Sequence, residues 1–67
     1  MLRELVTPAW ISEQMRRRVW SDTKLANKIG VHPRLVQYWR AGKRHPNVEN
    51  VEALLEVFGY KLEVKHV

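Results

Sequence analysis

The sequence predicts a mainly α fold: four short helices in series, packed as one small bundle, with a short C-terminal β-strand at about residues 60–65. Three observations carry this. Proline and glycine punctuate the chain at Pro8, Gly30, Pro33, Gly42, Pro46 and Gly59 and cut it into pieces about one helix long. Inside those pieces apolar residues recur every three or four positions, which is the helical period. Only at Tyr60-Lys61-Leu62-Glu63-Val64 does the spacing fall to two, as a strand requires.

The first helix starts at Thr7-Pro8. Threonine is a good N-cap, and proline suits the first helical position, where no N–H is needed. Val6 and Ile11 stand where a hydrophobic staple would hold that start. Ile11, Met15 and Val19 recur at intervals of four and predict one apolar face. Arg16, Arg17 and Arg18 crowd the helix end, where positive charge complements the dipole. Such a run usually remains solvated. Trp10 and Trp20 read as core or interface.

Ser21-Asp22 signals the second helix, with Leu25, Ala26 and Ile29 as its stripe and Gly30 as its left-handed stop. His32-Pro33 opens the third, in which Val36 and Trp39 lie three apart on one face and Gly42 ends the segment. A basic loop, Lys43-Arg44-His45-Pro46, leads to Asn47 as the next N-cap. Val48, Val51, Leu54, Leu55 and Phe58 form the fourth stripe, closed by Gly59.

Composition narrows the function classes. Sixty-seven residues suit one domain, 1–67, whose core leaves no room for an enclosed substrate cavity with a catalytic shell. No His/Asp/Ser spacing, metal-ligand spacing or phosphate-cradling glycine loop forms a site, and His32, His45 and His66 are scattered. An enzyme is not expected, and no cofactor or metal is implied. The chain has no cysteine, which excludes disulfides, thiolate metal sites and thiol nucleophiles. It has no apolar run long enough for a membrane span or a signal sequence, and a cytoplasmic protein is the simple expectation. Twelve Lys and Arg against seven Asp and Glu give a net charge of +5. That balance favours a polyanionic partner, nucleic acid before an acidic membrane surface or an acidic protein.

The informative unit surrounds Gly30. A helix-turn-helix needs a small residue where its helices cross, a turn residue tolerating positive φ four positions later, and an apolar anchor six positions after that. Ala26, Gly30 and Val36 meet these demands, and Leu25, Ile29, Val31 and Trp39 supply the rest of the core. The motif spans about residues 22–41. With Val36 and Trp39 turned inward, Arg34, Gln37, Tyr38 and Ala41 share the opposite face. Arg34 can donate two hydrogen bonds to a guanine, and Gln37 can pair with adenine or a phosphate. Tyr38 either offers its ring to a thymine methyl or packs at the rim of the core. Expected phosphate contacts are Ser21, Thr23, His32, Lys43 and Arg44. Asp22 is an awkward neighbour for an anion and is expected to cap its helix or to orient Arg34.

Residues 21–59, SDTKLANKIGVHPRLVQYWRAGKRHPNVENVEALLEVFG, resemble the lambda-repressor-like helix-turn-helix family of Cro/cI or XRE type. LAxxIGV, VxxWxxGKRxP and the apolar helix ending in Phe58-Gly59 carry the likeness. The resemblance implies a bundle of four or five helices that binds near-palindromic operator DNA as a homodimer and acts in transcription, as a repressor. The tail GYKLEV looks like the strand of antitoxin-type members, where it pairs across a dimer. Two departures stand out. His32-Pro33 replaces the family's polar pair, and Pro33 has no donor for a base. At residue 40 the family's frequent acid is an arginine, so its ion pair to the first helix is expected to be missing.

A dimer through Tyr60, Leu62 and Val64 also follows from strand chemistry, because an unpaired strand leaves backbone donors and acceptors exposed. The strand would pair with its copy or with residues 2–6. A symmetric antiparallel pairing centred on Leu62 sets Lys61 against Glu63, whereas centring on Glu63 opposes like charges. The alternative function is an antitoxin or another protein-interaction module that uses the same fold to bind a partner such as a toxin. RNA binding is weaker, since clustered stacking aromatics are lacking.

Overall fold

The computed structural model describes residues 5–60. The elements follow in chain order as α1 (Pro8–Arg18), α2 (Asp22–Ile29), α3 (Pro33–Ala41) and α4 (Val48–Val57). Each helix begins on a side-chain cap. Thr7 Oγ1 accepts from the Trp10 amide at 3.1 Å, Ser21 Oγ from Lys24 at 3.1 Å and Asn47 Oδ1 from Asn50 at 2.8 Å. His32 does the same for α3 through its ring, Nδ1 accepting from the Arg34 amide at 3.1 Å. A histidine N-cap was not expected from the sequence, because imidazole is not among the usual capping groups.

The helices pack around one core. α2 lies against α3, α1 against α3, and α4 closes on α2. Ile11 and Met15 from α1, Leu25 and Ala26 from α2, Val36 and Trp39 from α3, and Val51, Leu54 and Leu55 from α4 are all buried, together with Val6 and Phe58. Trp39 is the bulkiest of the fully buried side chains. The expected stripes therefore meet at one centre, with two corrections.

Val19 does not belong to the α1 face, for it is 88% exposed. α1 ends at Arg18, and Val19 takes the left-handed cap position at φ 56°. Its amide donates to the Arg16 carbonyl at 3.2 Å, and that of Trp20 donates to Met15 at 3.0 Å. Gly42 does the same job after α3 at φ 75°, without the strain that a β-branched residue meets in that region. Val48 is the second correction. It is 57% exposed as the first residue of α4, and the part of the stripe that meets the core starts one turn later, at Val51.

Buried polarity appears on α1 instead. Gln14 is buried, and its Nε2 donates to the Tyr60 hydroxyl at 3.1 Å. Its Oε1 accepts from Arg18 at 2.8 Å, so both ends of the amide are satisfied. Arg18 also donates to the Phe58 carbonyl at 2.6 Å and lies 5.0 Å from the Phe58 ring centre, fastening the end of α1 to the end of α4. Trp10 and Trp20 flank the same ring, edge-on at 5.4 Å and stacked at 5.7 Å. Both tryptophans are thus partly buried against the core, and Arg18 is an internal strut where a solvated charge was expected. The predicted strand at 60–65 falls, apart from Tyr60, outside the described residues.

Candidate nucleic-acid interface

The turn between α2 and α3 fixes the geometry of the site. Gly30 is left-handed at φ 76°, and its amide and that of Val31 both donate to the Ala26 carbonyl, at 2.8 and 3.0 Å. A Cβ on Gly30 would meet nothing within 4 Å, so glycine is needed there for its backbone angle and not for space. Ala26 is fully buried between the helices, and Val36 and Trp39 hold α3 from below. This is the helix-turn-helix arrangement read from the spacing of Ala26, Gly30 and Val36.

With that inner edge buried, the outer edge of α3 is set. Arg34, Gln37 and Ala41 are exposed, and Tyr38 is half-buried. The Tyr38 side chain lines an open depression together with His32, Arg34, Leu35 and Arg44. Arg44 folds back so that its guanidinium carbon lies 5.4 Å from the Tyr38 ring centre, within cation–π range. His32 flanks the same depression. Because its Nδ1 accepts the capping bond, the ring proton belongs on Nε2, which leaves that nitrogen as a donor. Lys43 is exposed just past Gly42, and its amide closes α3 by donating to Tyr38 at 2.9 Å.

Ser21 and Thr23 are exposed at the start of α2. Asp22 between them neither caps its helix nor orients Arg34. The cap is Ser21, and Asp22 pairs with Arg40, Oδ1 to guanidinium nitrogen at 2.7 Å. The same guanidinium donates through Nε to Ser12 Oγ at 3.0 Å. Among the described residues Arg40 thus forms its ion pair with α2, and its contact with α1 is a hydrogen bond to a neutral hydroxyl. With arginine in place of an acid, the tie reverses polarity and takes a hydroxyl on α1 and a carboxylate on α2. Sequence reasoning singled out Arg40 but missed its pairing with Asp22, and it missed Leu35 altogether. The signal for Arg40 was an arginine and an aspartate on two helices already inferred to pack together. Leu35 gave none, since it stands off the Val36–Trp39 face.

The charges of the bundle divide into two sets. Glu13 accepts from Arg16 and, at 3.1 Å, from Arg17. These hydrogen bonds, Arg16 first, hold the Glu13 carboxyl below its ordinary range and raise Arg16. Around α3, in contrast, Arg34, Lys43 and Arg44 meet no acid among the described residues. At the other end Tyr60 is 45% exposed, and its ring tilts against Trp10 at 5.7 Å. Leu62 and Val64, expected beside it in a dimer contact, lie outside the described residues.

Among the described residues no group of three or more acidic or histidine side chains could hold a metal, and no helix is long and apolar enough to cross a membrane. No curated protein and no solved structure matches the chain. The model of the helix-turn-helix family matches residues 11–65, from the first buried residue of α1 through all of α2, α3 and α4. With most of its length matched and its turn built as the motif demands, the chain belongs to the Cro/cI-type (XRE) helix-turn-helix family of DNA-binding regulators.

Proposed function

We propose that this protein is a sequence-specific repressor of transcription that reads the major groove of double-stranded DNA with α3, as a cytoplasmic homodimer acting through one domain, 1–67. One observation carries the reading. The exposed edge of α3 is cationic and polar, and its opposite edge is locked into the core by Val36 and Trp39. A rigid ridge of that kind suits the width of the major groove.

Arg34 would take a guanine through its O6 and N7, a contact worth about 1–3 kcal/mol of discrimination. Gln37 would pair with adenine or a phosphate, and Tyr38 would meet a neighbouring base edge. Ser21, Thr23, His32, Lys43 and Arg44 would hold phosphates on either side. One copy spans about half a turn of groove. A dimer through Tyr60, Leu62 and Val64 would set two such ridges about 34 Å apart on a near-palindromic site. A promoter covered in this way is closed to polymerase by sterics alone.

Selection of bound duplexes from random DNA, followed by salt titration, tests this. A bipartite consensus should emerge. Arg34→Ala should relax one base preference, and Lys43→Ala should weaken all duplexes alike. If both variants bind as the parent does, the ridge is not the reader and a protein partner becomes the better reading.

A further inference from the structure

We infer that the depression beside α3 reads a pyrimidine C5-methyl: Leu35 and Tyr38 form the apolar seat for a thymine methyl adjacent to the guanine taken by Arg34. The inference rests on the proposed groove reading and specifies the step it reads.

Leu35 is the unexpected member of this surface. It follows Arg34 directly, packs partly against the core, and still lines the depression. Being held from below, it presents a fixed apolar surface. Tyr38 is one helical turn further on, so the two side chains are neighbours along the helix. Arg44 over the Tyr38 ring restrains that ring and leaves it beside Leu35. Cations or a nitrogen donor surround this small apolar floor, from Arg34, Arg44 and His32, and no acid lines it.

A half-buried leucine inside a cationic rim is poor chemistry for a phosphate, which offers nothing apolar. It is good chemistry for a duplex groove, where the phosphates satisfy the rim and a base edge meets the floor. Of the four bases only thymine presents a methyl in the major groove. Arg34 and Leu35 line the same depression, so a guanine on the first brings the methyl of a neighbouring pyrimidine within reach of the second.

The probe is the uracil base, which deletes the methyl and alters no hydrogen-bonding atom of the groove. In a duplex selected by this protein, each thymine is replaced by uracil in turn and affinity is read by fluorescence anisotropy. One thymine per half-site, next to the guanine whose preference Arg34→Ala abolishes, should lose about fourfold, the equivalent of one buried methyl. Leu35→Met should keep that difference, and Leu35→Ala should erase it. The uracil scan on the parent protein decides the matter even if Leu35→Ala does not fold. Binding that depends on Arg34 but ignores every uracil replacement overturns the methyl reading and spares the groove reading. Failure to bind any duplex overturns both.

Discussion

Arginines cluster twice in this chain, and the bundle treats the two clusters differently. At the end of α1, Arg16 and Arg17 share Glu13, and Arg18 is spent on Gln14 and the Phe58 carbonyl. Around α3, Arg34 is exposed without an acidic partner among the described residues, and Arg44 leans on a tyrosine ring. The α1 run is the denser in sequence and would be the first choice of anyone counting charges. Its cations, however, have partners within the chain: one carboxylate offsets part of the charge of Arg16 and Arg17, and Arg18 is directed at the end of α4. The lesson is that two clusters of like charge can differ in their partners within the chain, which local density along the sequence does not reveal.

The sharpest way to break this contrast is to remove Arg34. Arg34→Ala should cost about 1–3 kcal/mol of specific DNA affinity and leave thermal stability near that of the parent, as read by duplex titration beside a melt. Arg18→Ala should do the reverse. Losing a charge-assisted bond to a buried helix end should cost about 2 kcal/mol of folding stability in a urea titration, and the folded variant should bind DNA as the parent does. Lys43→Ala should reduce affinity for all duplexes and lower the slope of log affinity against log salt by about one.

Arg40 stands between the two sets, on α3 yet paired. A double-mutant cycle with Asp22→Asn should give a stability coupling of about 0.3–1 kcal/mol, the usual value for a partly exposed pair. The smallest effect belongs to Glu13. Its carboxyl is held below the ordinary range when folded, so its contribution is present above the unfolded value and is lost as pH falls through the folded one. Glu13→Gln should therefore leave stability at low pH unchanged and flatten its acid-side slope slightly, which a pH series of melts would register.

Much of the fold was legible because local signals agreed. Thr7, Ser21 and Asn47 announced three helix starts, and Gly30 and Gly42 announced two ends. The inward pair Val36 and Trp39 fixed the outer edge of α3 by geometry alone. What escaped the sequence depends on contacts between elements. Val19 looked apolar and periodic, yet α1 stops one residue before it, and no local rule places a valine in a left-handed cap. Arg18 and Phe58 are 40 positions apart, so periodicity along one helix cannot join them. The Asp22–Arg40 pair likewise required the crossing of α2 and α3. Leu35 became visible as part of the site only when Arg44 closed the far side of its depression.

The central claim is that α3 and its flanks, and not the arginines of α1, meet the duplex. Amide signals of the labelled protein, followed as duplex is added at low ionic strength, test it most directly. The account predicts that residues 32–44 shift together while Arg16, Arg17 and Arg18 stay where they are. Shifts concentrated at those three arginines, with 32–44 unmoved, would contradict it.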